Sequence, residues 1–196
     1  MPAPPNSVHP QSRAEWRKWL EQNHTRTEGV WLISYKKATG KPRFDYAEAV
    51  EEALCFGWID SKPGKLDEER SMLWFTPRKG KTGWSKLNKE RVDNLINAGL
   101  MAPAGLAKVE AAKKDGSWNA LDAAEALEIP PDLAKVFSKN KTARGYFEEF
   151  PRSVKKAILE WISSAKRPET RAKRIEETVT KAEQNIRANQ WRQGSA

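Results

Sequence analysis

Cations and aromatic residues crowd the middle of the chain. Between Arg78 and Arg91 stand six Lys or Arg and one acid, Glu90. Trp74 and Phe75 stand just before them and Trp84 stands among them. Arg78-Lys79-Gly80-Lys81-Thr82-Gly83 has the glycine and lysine content of a phosphate loop, but a P-loop needs a further glycine five residues before Gly80, where Phe75 stands. Nucleotide hydrolysis by that route is therefore not expected. What survives is a weaker site for a carboxylate or phosphate, formed by Arg78, Lys79 and Lys81 with the start of a helix near Ser85.

Asp60 follows Trp58 in a strand-like run, where a half-buried carboxylate would want Arg70 or Arg78 as an ion-pair partner. Asp67, Glu68 and Glu69 lie in a connection containing Pro63-Gly64, which reads as turn chemistry rather than an acid/base pair. A second cationic stretch, Lys166 to Arg174, carries five cations and one acid, Glu169. Arg167, Arg171 and Arg174 are spaced 4 and 3 and share a helical face. Cations at a helix start oppose its dipole, so these arginines need partners, either bundle acids such as Glu160 or an external anion.

Cys55, the single cysteine, and two histidines, His9 and His24, exclude a disulfide framework and argue against a Cys/His zinc site. Neither a metal nor a cofactor is expected. Cys55 reads as a small buried hydrophobe, and His24 as a partner for helix-terminal carbonyls.

The elements that must position these residues fall into two kinds. Ser12 with Glu15 and Asp45 with Glu48 are capping boxes, and each precedes an apolar face of helical spacing. Gly29 to Lys37 is rich in β-branched and aromatic residues, a strand covered on both sides. Trp58 to Lys62 and Ser71 to Thr76 form a long-looped hairpin closed by Pro77, and Ser85 caps a helix that Gly99 stops. From Pro103 on, only helical patterns appear. They are punctuated by Pro130-Pro131, Asn140 and Pro151, and end in a seam of Ala172, Ile175, Val179, Ala182 and Ile186. The fold expected is α+β: a small mixed N-terminal layer of about three strands with helices, then a C-terminal helical bundle. Residues 1–11 read as a disordered lead-in, 12–101 as the α+β domain, and 102–196 as a helical module packed on it.

The chain has 196 residues with a net charge of +9, a pI near 9.6 and a mean hydropathy of -0.79. That composition suits a globular protein with an anionic partner and no membrane insertion. No signal-peptide core is visible, so a cytoplasmic location is expected. Nucleic acid is the alternative partner, with Trp58, Trp74, Trp84 and Phe75 stacking bases beside Arg78, Lys86 and Arg91. Core filling is the stronger reading of those aromatics, because each buries more surface there. An enzyme of unknown reaction is the second alternative.

Ala49 to Ser61 (AVEEALCFGWIDS), Phe75 to Lys79 (FTPRK), Trp84 to Asn88 (WSKLN) and Ala165 to Arg171 with Arg174-Ile175 resemble the YdeI/OmpD-associated family, also labelled bacteriocin-protection, over about Ser12 to Ala188. The resemblance implies a helical C-terminal module and a role in resistance to bacteriocins or cationic antimicrobial peptides. It singles out Trp58, Asp60, Arg78, Trp84, Ser85 and Asn88 as a candidate binding surface, with Arg70 and Lys79 beside them, and implies no catalytic residues. The reading is an anion- or partner-binding bacterial protein, with its ligand near Arg78 to Arg91 and a second anion patch at Arg167, Arg171 and Arg174.

Overall fold

A computed structural model describes residues 2–190, so residue 1 of the expected lead-in and residues 191–196 of the expected module lie outside the described residues. Packing divides the chain into a unit ending at Asn119 and a unit beginning at Ala120. The first holds β1 (Ser7–Val8), α1 (Arg13–Asn23), β2 (Val30–Tyr35), α2 (Tyr46–Cys55), β3 (Trp58–Lys65), β4 (Arg70–Pro77), α3 (Lys86–Asn97) and α4 (Pro103–Asp115). The second holds α5 (Asp122–Glu125), α6 (Pro131–Phe137), α7 (Lys141–Glu149), α8 (Arg152–Ser163) and α9 (Pro168–Glu183). The fold is α+β.

Four strands make one mixed sheet in the order β1-β2-β4-β3, parallel between β1 and β2 and antiparallel elsewhere. Alternation along the strands turns Val30, Leu32, Leu73 and Phe75 toward the helices, where Trp16, Leu20, Val50, Leu54 and Trp58 complete the core. Trp31 and Trp74 occupy the opposite face and pack edge to face at 5.0 Å. The Asp45/Glu48 capping box forms, with Glu48 accepting from Asp45 N at 2.7 Å. At α1 only half of the expected box forms, Ser12 Oγ accepting from Glu15 N at 3.3 Å while the Glu15 carboxylate accepts from Gln11 N at 2.9 Å instead. His24 Nδ1 meets the carbonyls of Leu20 and Glu21 that end α1.

Two expectations about boundaries are corrected. The first eleven residues are not a free lead-in, because Ser7 and Val8 pair with Trp31 and Leu32 and Pro10 is buried. Pro10 falls just beyond the paired residues, where its missing N–H costs no ladder bond. The division also lies beyond α4 rather than at residues 101/102. Ala102 N donates to Cys55 O at 3.1 Å, and Val109 and Ala112 join the core of the first unit. Gly105 makes this approach possible, since a Cβ there would sit 2.7 Å from Leu54 O and closer still to Cys55 O.

The second unit has its own core, with Leu133, Phe137, Phe147, Ile158, Leu159, Ile162 and Ala182 among its buried side chains. Helix α9 packs against α6, α7 and α8, and Asn140 caps α7 by accepting from Ala143 N at 3.0 Å.

Candidate anion-binding site

Strand β4 ends at Pro77, and Arg78 N then donates to Gly57 O at 2.8 Å, which turns the Arg78 side chain inward. The chain beyond it is a tight loop. Lys81 takes a positive φ of 60°, its N–H donates to Asp115 Oδ2 at 3.1 Å, and Thr82 Oγ1 donates to Lys79 O at 2.7 Å. This loop carries Trp84 back under Arg78. The guanidinium lies 3.6 Å from the Trp84 ring centroid, and Nη2 donates to Gly83 O at 2.6 Å.

The environment of Arg78 is unusual for a charge. The residue is 6% exposed, its Nε is buried with no acceptor, and among the described residues no carboxylate stands within ion-pair distance. Burial lowers its pKa to about 10, which still leaves it protonated at neutral pH. It lines a hollow of about 70 Å³ with Lys79, Trp84, Lys108, Asp115 and Ser117. The Asp115 carboxylate does not supply a counter-ion. It accepts from Ser117 N at 2.9 Å and from Lys81 N at 3.1 Å, and the Ser117 side chain, followed by these backbone bonds, holds its pKa below the ordinary value. Stacking on an indole and bonding to a carbonyl recover part of the cost of burying a cation, but a paired anion would recover more.

The remaining residues of the expected binding surface scatter. Trp58 and Trp84 are core side chains, at 0% and 1% exposure, with Trp58 Nε1 donating to His24 O at 3.1 Å. Their flat faces are closed to any base, as is that of Phe75, so the stacking surface expected for nucleic acid is absent at these positions. Ser85 caps α3, accepting from Asn88 N at 3.3 Å, and Asn88 Oδ1 accepts from Arg91 at 3.0 Å. Arg70 lies at the other end of β4 and forms an ion pair with Asp67 at 2.6 Å. Arg70 and the backbone N–H groups of residues 69 and 70 hold the Asp67 carboxyl well below the usual carboxylate range.

Asp60 pairs with neither Arg70 nor Arg78. It accepts from the Tyr46 hydroxyl at 2.9 Å, and burial followed by that bond pushes the Tyr46 phenol up. Both residues border a separate cleft of about 550 Å³. Its floor is Leu32 and Leu73, its wall Phe44, and its rim Lys36, Lys37 and Arg43. None of these except Asp60 was legible as a site residue. Lys108 of the Arg78 hollow was missed as well, because α4 reads as an ordinary amphipathic helix.

The second anion patch is corrected. Arg171 binds Asp132 through two bonds, at 2.5 and 2.9 Å, and donates to Ile162 O at 3.3 Å. Arg174 donates to Trp161 O and to Ser164 Oγ at 3.0 Å. The arginines that begin α9 thus satisfy the last carbonyls of α8, where positive charge is favourable, and this resolves the dipole conflict. Glu160 is not their partner; it lies 3.7 Å from Lys156. Arg167 is exposed.

Arg171 holds the Asp132 carboxyl below its ordinary value of 3.8, so the stability this pair adds is complete above that value and lost as pH falls through the lowered pKa. Asp132→Asn should therefore lower the urea midpoint at neutral pH, and the gap from the parent should close as pH is taken down to about 2.

The fold and the hollow define an α+β protein with a buried, uncompensated cation. Residues 8–108 match the family described as a domain of unknown function (DUF8412), and the chain belongs to that family. Residues 126–185 match the family described as Bacteriocin-protection, YdeI or OmpD-Associated. The motifs between Ala49 and Asn88 fall in the first match, and those from Ala165 to Ile175 in the second. No curated protein matches the chain, and no solved structure does. Among the described residues, no helix is long and apolar enough to cross a membrane.

Proposed function

We propose that this protein binds a small oxyanion, a carboxylate or phosphate group, in the hollow beside Arg78. The observation that carries the reading is a guanidinium 6% exposed, without a carboxylate and with its Nε lacking an acceptor. A charged arginine in that state gains most from a ligand that accepts from Nε and the adjacent amine together. Lys79 and Lys108 at the same hollow add attraction for the anion at longer range. The match of residues 126–185 to the bacteriocin-protection family supports a role for this binding in resistance to bacteriocins or cationic antimicrobial peptides.

Calorimetric titration with inorganic phosphate and with acetate tests it, on the parent, Arg78→Met and Arg78→Lys. The parent should bind one of these anions at one saturable site. Arg78→Met should weaken that binding at least about tenfold, and Arg78→Lys should recover only part of it, because a lysine offers charge without the planar fork. Equal affinity in the parent and a folded Arg78→Met would reject the site. Strong binding of an oligonucleotide with a steep salt dependence would favour a nucleic-acid partner instead.

A further inference from the structure

We infer that the cleft bordered by Tyr46 and Asp60 is a second binding site, independent of Arg78, for a small amphipathic acid. Its volume of about 550 Å³ lies within the range of cavities that enclose small ligands. The floor is apolar because Leu32 and Leu73, direct partners across β2 and β4, face the helices beyond the start of α2.

One side of the opening is cationic. Lys36 Nζ is held by the carbonyls of Asp67 and Glu68, at 2.9 and 2.8 Å, which fix the ammonium without neutralising it. Lys37 has no carboxylate partner among the described residues. Arg43 touches Asp45 at 3.2 Å, yet its Nε is buried with no acceptor. The other side carries the Asp60 carboxylate, with the Tyr46 hydroxyl on one oxygen. This polarity orients a ligand: its acid group goes to Lys37 and Arg43, its apolar body lies along Leu32 and Leu73, and any hydroxyl reaches Asp60.

A fluorescence titration with 8-anilinonaphthalene-1-sulfonate, an amphipathic acid, provides the test. The native protein should bind it saturably, and octanoate should displace it much better than octanol does. Lys37→Glu should weaken binding at least about tenfold by placing a carboxylate at the rim. Ser71→Trp, which fills the cleft from a strand position suited to an aromatic, should abolish it with the thermal midpoint retained. Arg78→Met should leave it unchanged, so that failure of the anion site and failure of the cleft are separable. No saturable binding to the native protein, equal binding to Lys37→Glu and Ser71→Trp, or displacement by octanol as good as by octanoate would overturn the inference.

Discussion

Gly105→Ala is expected to destabilise the first unit by about 3 kcal/mol, near the upper end of what overpacking a well-filled interior costs. An added Cβ would meet Leu54 O at 2.7 Å, with Cys55 O closer still. Both are backbone atoms of α2, which cannot swing aside as a side chain can. Helix α4 would have to lift, loosening the bond from Ala102 N to Cys55 O and the packing of Val109 and Ala112. Alanine's better helix propensity returns only about 1 kcal/mol. Gly145 in α7 is the control, because a Cβ there meets nothing within 4 Å. Gly145→Ala should be neutral or stabilise by about 0.5–1 kcal/mol. The urea midpoint should fall for Gly105→Ala and hold or rise for Gly145→Ala.

The second large effect is expected at Glu52, which is 3% exposed and accepts from Arg13 Nε at 2.6 Å and from Arg17 Nη1 at 2.7 Å. This carboxylate joins α1 to α2 from within the interface. Removing one partner of a buried ion pair costs about 3–5 kcal/mol when the other is left dry. Arg13 and Arg17 are about a third exposed and can regain water, so Glu52→Ala should cost about 2 kcal/mol. Glu69→Ala removes an exposed pair with Lys41 and should stay within about 0.5 kcal/mol of the parent. Chemical unfolding of both variants in the same buffer separates a buried from a surface ion pair.

Local signals in the sequence located most elements. The cap at Ser12, the box at Asp45/Glu48, the serine cap at position 85 and the prolines at 103 and 168 each act within one helical turn, so their neighbours in sequence are their neighbours in space. Strand β1 escaped notice because two residues paired through backbone alone leave no side-chain pattern. The attachment of α4 was hidden for a related reason: Gly105 matters through a missing Cβ facing α2, and its role depends on a contact some fifty residues away in sequence. The arginines of α9 were legible as needing partners, but the partners are Asp132 and the end of α8, which only folding brings near. In the site, Arg78 and Trp84 were legible together because only five residues, 79–83, separate them. Asp60 was seen without Tyr46, since the two meet only when α2 lies over the sheet.

The most direct test is to follow the Arg78 side-chain Nε–H by proton–nitrogen NMR during a phosphate titration, with Arg78→Lys used to assign the signal. A saturable downfield shift of that one resonance, with the stacking on Trp84 retained, is the result expected of a buried donor that acquires its missing acceptor. A resonance that stays in place while phosphate is raised to concentrations far above physiological would contradict an anion site at this residue and leave Arg78 as a structural contact alone.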